Sequence, residues 1–183
     1  MLITDGLLYP REELHMTKKR IAIMILILLL IVAGLSFKKF YKDHNQSLTH
    51  EFYNRSLLIS INVFIRVNSL PVWEDLEKVM TFKGEVDQYY YEFKQLKTTK
   101  ETVEGELEMK KLFDTSYEMF DLMERFHNKD PEVKSFAYLE KLKEVQDHYF
   151  LFAALIELKK IPITNETLEQ SDHITNDFLQ NNY

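Results

Sequence analysis

The chain has 183 residues with 45% hydrophobic and 28% charged side chains, enough for one folded domain and a targeting segment. It has no cysteine, which excludes disulfides, thiolate metal sites and a cysteine nucleophile, and only 4 Gly and 4 Pro, which favours long helices over sheet. Residues 40–183 hold 17 basic against 26 acidic side chains, a net −9, so this portion repels phosphate backbones and no nucleic acid is expected as a partner.

Residues 1–20 are assigned to a short N-terminal cytoplasmic segment. Arg11-Glu12-Glu13 can be encoded by AGG-GAG-GAA, a purine run resembling a bacterial ribosome-binding site, and Met16 follows closely. MTKKR has the form of a positive n-region, so translation is expected to start at Met16, in a bacterial cell, with residues 1–15 an upstream over-reading. A genuine cytoplasmic tail is the alternative.

Ile21 to Phe37 carries no charge and is rich in Ile and Leu. As a helix it would rise about 26 Å, slightly less than a hydrocarbon core of about 30 Å. Snorkelling by Lys18, Lys19 and Arg20 before it, and by Lys38 and Lys39 after it, covers the difference. Phe37, Phe40 and Tyr41 stand where an aromatic belt lies. A core helix of a soluble protein would need partners on all sides. Lipid attachment needs a cysteine after Ile31-Val32-Ala33-Gly34, and Leu35 stands there. Cleavage after Gly34 is the competing fate, but the run is long for a signal core. The segment is therefore read as a retained transmembrane helix or uncleaved signal anchor over 21–37, with 38–44 juxtamembrane. The flanking basic residues are nearly balanced, and a short leading segment before a large trailing domain places that domain outside the cytoplasm.

The rest reads as an all-α, antiparallel four-helix bundle, with five helices as a variant, over 45–162, followed by a polar tail over 163–183. The first bundle helix covers about 45–67, and no Pro or Gly separates it from the membrane segment. Within it, Ile59, Ile61, Val63, Ile65 and Val67 alternate as a strand would. No second strand is at hand to pair with them, so a helix is expected, with Leu57, Leu58, Ile61, Phe64 and Ile65 on its buried face. Pro71 suits the first turn of a second helix, with Glu74 and Asp75 favouring its dipole. Val72, Leu76, Val79, Val86, Tyr90 and Phe93 form its stripe, and Gly84 is a point where it could split.

Thr98 and Glu101 fit a capping box for the third helix. Its stripe is Met109, Leu112, Ser116, Met119, Met123 and Phe126, widened by Phe113, Tyr117 and Phe120. Asp130-Pro131 is expected to start the fourth helix, with Leu139, Leu142, Tyr149, Phe152 and Ile156 buried and Pro162 ending it. YFLFAALIEL (149–158) is apolar nearly all round, which suggests a fully surrounded helix end; an exposed docking patch is the other reading. A short helix is expected around Leu168 to Phe178.

The candidate partner contacts are Tyr91, which helical geometry turns outward from the Tyr89-Tyr90-Tyr91 cluster, and Phe150 in the apolar run. Glu124-x-x-His127 has the spacing of di-iron bundles, but such a site needs a second copy, and Glu144, Asp147 and His148 do not supply it. Glu140, Glu144 and His148 form a surface ladder. No nucleophile elbow occurs, so no catalytic residue, metal or cofactor is assigned and the protein is not expected to be an enzyme. The expected partners are the lipid bilayer and an envelope or surface protein. A bundle that senses or carries a small molecule is the alternative function, and a bundle metalloenzyme the second.

Overall fold

A computed structural model describes residues 11–69, 75–133 and 137–182, with side chains from Ile23 onward apart from 179, 181 and 182. The described residues are helical, without strands. The elements are α1 (Arg11–Asn68), α2 (Leu76–Lys94), a 3₁₀ turn (Lys100–Thr102), α3 (Val103–His127), α4 (Ala137–Leu158) and α5 (Asn165–Asn182). The chain divides into two units, Met1–His44 and Asn45–Tyr183, and α1 contributes to both.

In the first unit, the described part of α1 is a lone apolar helix. Every large hydrophobic side chain from Ile23 to Val32 is more than half exposed, and Leu35 likewise. This helix is long and apolar enough to cross a membrane.

The second unit is a bundle. Residues 45–68 of α1 pack against α2 through Phe52 and Phe93 (ring centroids 6.1 Å apart) and against α4 through Tyr53 and Phe152 (5.8 Å). Helix α3 closes the ring by packing against both α2 and α4. Neighbours run in opposite directions: Lys83 of α2 meets Glu124 near the end of α3, and Glu104 at the start of α3 meets Lys159 just past α4. This up-and-down order follows from short links between consecutive helices. The core is dominated by aromatic and branched side chains, with Tyr53, Phe113, Phe120 and Phe152 fully buried.

The strand-like alternation in α1 has a helical explanation. Ile59, Val63 and Val67 form one i, i+4 row and Ile61 and Ile65 another, and all five are buried. Residues two apart lie about 200° round the helix, so the two rows face different neighbours. The expected face is corrected accordingly: Leu57, Leu58 and Phe64 are only half-buried. Buried Ser60, in neither row, turns its hydroxyl to the Leu57 carbonyl at 2.8 Å, which satisfies that polar group inside the bundle.

Several element boundaries also differ from expectation. Pro71 and Val72 lie outside the described residues. Asp75 is the N-cap of α2, its carboxylate accepting from the Glu77 and Lys78 amides at 3.1 and 3.3 Å. Helix α2 passes through Gly84 unbroken, with Val79, Val86 and Phe93 buried one heptad apart. The turn before α3 is locked by Thr102 instead of Glu101: its hydroxyl accepts from the Thr99 N–H at 2.8 Å and donates to the Thr99 carbonyl at 2.9 Å.

Asp130-Pro131 does not open α4. Asp130 closes the end of α3, where its N–H reaches the Arg125 carbonyl at 3.0 Å and Lys129 adopts φ 59°. Lys160 (φ 52°) ends α4 in the same way, with the Ile161 N–H on the Ile156 carbonyl. Both are Schellman motifs with lysine at the left-handed position usually held by glycine. In α4 the buried residues are Tyr138, Val145, Phe152 and Ile156, so Leu139, which is 48% exposed, is displaced by its neighbour Tyr138. The short helix expected around Leu168 to Phe178 is present and longer, as α5 over Asn165–Asn182.

Candidate functional site: an apolar groove between the third and fourth helices

The outward side of 149–158 is bare. Phe152 and Ile156 point into the core, whereas Phe150, Leu151 and Leu158 are 59%, 51% and 77% exposed. The expectation of a surrounded helix end is thus corrected. The stretch is apolar all round, but no element among the described residues covers its outer face.

Leu151, Ala154, Leu155 and Leu158 of α4 and Leu107 of α3 line an open groove of about 820 Å³. Leu107 was not singled out from the sequence because it lies off the α3 stripe, on a face dominated by Glu and Lys. The signal that could have found it is its spacing from Val103: both are exposed and sit one turn apart on that polar face.

Two of the four charged residues on the groove, Glu104 and Glu108, are paired within the protein. Glu108, 14% exposed, accepts from Lys111 Nζ at 2.8 Å and contacts His148 Nδ1 at 3.1 Å. Burial alone would raise the Glu108 pKa, but hydrogen bonds and positive charge from Lys111 and His148 outweigh it, and the pKa is lowered. Glu108 is therefore a fixed carboxylate that orients its neighbours, and an ionised, cation-held group is a poor proton donor at neutral pH. Glu104 pairs with Lys159 at 2.7 Å. The groove offers apolar contact edged by two paired carboxylates, with exposed Glu157 and Lys160 also on its lining.

The two candidate contacts do not share a site. Phe150 is on α4, with its ring edge-on to Tyr149 at 5.3 Å. Tyr91 is on α2, 68% exposed, and lines a crevice beside α5. Phe37, Phe40 and Tyr41 are 71%, 69% and 60% exposed, and Lys38 and Lys39 are exposed too. Lys18, Lys19 and Arg20 fall within α1, but their side chains lie outside those described.

The metal-like spacings are taken up by other contacts. Glu124 meets Lys83 at 3.6 Å, and Glu144 bonds Lys141 at 2.8 Å. His148 turns away from the Glu140–Glu144 ladder toward Glu108. Among the described residues no cluster of three or more His, Asp or Glu could hold a metal ion. Comparison with protein families, with curated proteins and with solved structures finds no match.

Proposed function

We propose that this chain is a single-pass protein of a bacterial cell membrane, whose helical bundle lies outside the cytoplasm and acts by binding another envelope or surface protein. The observation that carries the anchor is the exposure of Ile23 to Val32, where every side chain is more than half open. Burying such side chains stabilises by about 1.5–3 kcal/mol each, and lipid supplies that burial where the protein does not. Lys38, Lys39, Phe40 and Tyr41 follow the apolar run and match the charged and aromatic border of a bilayer.

The binding role rests on the leucine-lined groove. Two helices with an apolar furrow between them match the mode in which a partner's amphipathic helix lies in a groove. The same furrow favours a protein partner over a small carried molecule: it is open along its length, whereas small-ligand sites enclose about 70–90% of the ligand surface.

Alkaline carbonate washing should leave the chain in the membrane, and protease added to intact cells should degrade residues 45–183. A photo-crosslinker at position 151, on the groove, should capture one reproducible protein. Release by carbonate would end the anchor reading, and protection from external protease would put the domain on the other side. Absence of any reproducible adduct at position 151 would remove the groove as the docking face.

A further inference from the structure

The bundle begins at Asn45, and two of its links lie level with that beginning. Thr49 shares a hydrogen bond with Thr99 at 2.8 Å, and the Tyr53 hydroxyl donates to the Glu101 carbonyl at 3.2 Å. Asn54 bolts down the start of α5: its Nδ2 donates to the Pro162 carbonyl and its Oδ1 accepts from the Thr164 N–H, both at 3.0 Å. The α2–α3 and α4–α5 links therefore form the end of the bundle through which the chain enters. Val103, the first residue of α3, and Leu158, the last of α4, belong to that end, where Glu104 and Lys159 join the two helices at 2.7 Å.

These two apolar side chains are bare. Val103 is 59% exposed, and Leu158, at 77%, is the most exposed large apolar side chain among the described residues. Lys97, Lys100 and Lys160 of the same end are exposed as well. Apolar tips accompanied by lysines suit a bilayer boundary, where the tip enters the acyl margin and the lysine stem keeps its charge in water. Net charge does not oppose this. Residues 95–104 hold two lysines and two glutamates, as do residues 157–166, so the net −9 of residues 40–183 lies on other parts of the bundle. The covalent path puts lipid within reach. Thr49 is eight residues past Tyr41, at the border of the apolar run, and so stays within about 28 Å of it however the intervening residues are arranged. Tethering at that length keeps the local concentration of lipid high, which populates a contact too weak to form untethered.

We infer that this end of the bundle is a second lipid contact, in which Val103 and Leu158 enter the interfacial layer of the bilayer that holds the apolar part of α1. The inference rests on the membrane anchor proposed above, and holds on whichever side of the membrane the bundle lies. It leaves the α3–α4 groove to a protein partner, since Leu107 and Leu155 stand about one helical turn further from this end and Leu151 about two. Because the end is neutral, the contact is apolar and indifferent to lipid charge.

The lack of cysteine in the chain allows a single-label test. Phe40→Cys, Val103→Cys, Leu139→Cys and Leu158→Cys, each in the full chain, carry one fluorophore and are reconstituted in phosphatidylcholine vesicles containing a lipid with a nitroxide headgroup. Leu139 is the reference, being exposed in the first turn of α4 at the opposite end of that helix. Labels at 103 and 158 should be quenched at least about twofold more than the label at 139, as expected of apolar side chains held in the interface. The difference should persist in about 0.5 M NaCl and with anionic lipid added, conditions that alter charge-driven contacts. Val103→Asp should reduce quenching at 158 by about half, because interfacial binding scales with apolar area, and unchanged helical melting shows that the variant stays folded. Quenching at 40, with 103 and 158 no more quenched than 139, overturns the lipid contact and leaves the anchor standing. No quenching at 40 removes the anchor and the contact with it. Quenching at 103 and 158 that vanishes in salt overturns the apolar contact.

Discussion

Two stretches of α1 have nearly the same chemistry and opposite surroundings. From Ile23 to Val32 every side chain is more than half exposed, whereas Ile59, Ile61, Val63, Ile65 and Val67 are at most 9% exposed. Both are rich in branched aliphatic residues. The second has Ser60, Asn62 and Arg66 among them, each with a hydrogen bond to a specific acceptor, and other helices on two sides. The first has no polar residue and no neighbour among the described residues. A run that buries in protein has to mix polar groups at positions where neighbours end; a run meant for lipid does not.

The widest separation of the two stretches should come from one substitution made in each. Val63→Asp, at a position with no exposed surface, places a carboxylate in the bundle core and should cost more than about 4 kcal/mol, abolishing cooperative melting of the domain. Leu28→Asp should leave that melting unchanged while lowering the fraction of the chain that inserts into membranes, since a carboxylate at mid-bilayer costs about 2.5–3.5 kcal/mol. Loss of the melting transition in the Leu28 variant would contradict the separation.

A second probe is alkali, which acts on the bundle alone. Tyr53, Tyr89, Tyr117, Tyr138 and Tyr149 all have raised pKa values, in each case chiefly through burial; at Tyr117 a hydrogen bond to Asp87 adds to it. A raised folded pKa means that the unfolded chain gives up its proton first. Stability is therefore intact below about pH 10 and falls as the pH rises beyond it, by up to about 1.4 kcal/mol per pH unit for each tyrosine. Helical circular dichroism across pH 8–12 should show cooperative loss of the domain in that window. On the acid side, Glu108 works in the opposite sense: its lowered pKa adds stability that is present above its unfolded value of about 4.3 and disappears as the pH falls through the folded value.

Smaller effects distinguish packed from open glycines. A Cβ on Gly105 would stand 2.7 Å from Cε1 of the buried Tyr53 ring, whose hydroxyl is held by the Glu101 carbonyl. Gly105→Ala should destabilise by about 1–3 kcal/mol, reduced by its better helix propensity. Gly84 has nothing within 4 Å, so Gly84→Ala should stabilise by about 1 kcal/mol. Least of all, Lys129→Gly and Lys160→Gly should each add about 0.5–1 kcal/mol by relieving a left-handed lysine, read as a small rise in Tm.

Legibility varied with how strictly one face faced the core. The α3 stripe was readable because Met109, Leu112, Ser116, Met119 and Met123 all point to one interior and are buried, and only Phe126 at its end is half-buried. In α4 the apolar residues surround the helix, so composition could not say which of Tyr138 and Leu139 turned inward or whether Phe150 was covered. The caps slipped by a few residues for a related reason. Thr98, Thr99 and Thr102 are chemically interchangeable as caps, and the choice falls to whichever the turn geometry aligns. Tyr91 and Phe150 are both outward-facing, yet only their separate helices reveal that they belong to different surfaces. The groove containing Leu107 could not be read locally, because it joins residues more than forty positions apart.

What the sequence determined by itself is the all-helical class, the apolar N-terminal helix and the α3 core stripe, since periodicity and composition are local properties of the chain. The tertiary structure decided which sides of α1 and α4 are covered, how Asn54 bolts α5, and where leucines gather into a groove. Those outcomes depend on which helix comes to lie beside which, and an exposed or buried fate belongs to the pair of surfaces that meet, not to either residue alone.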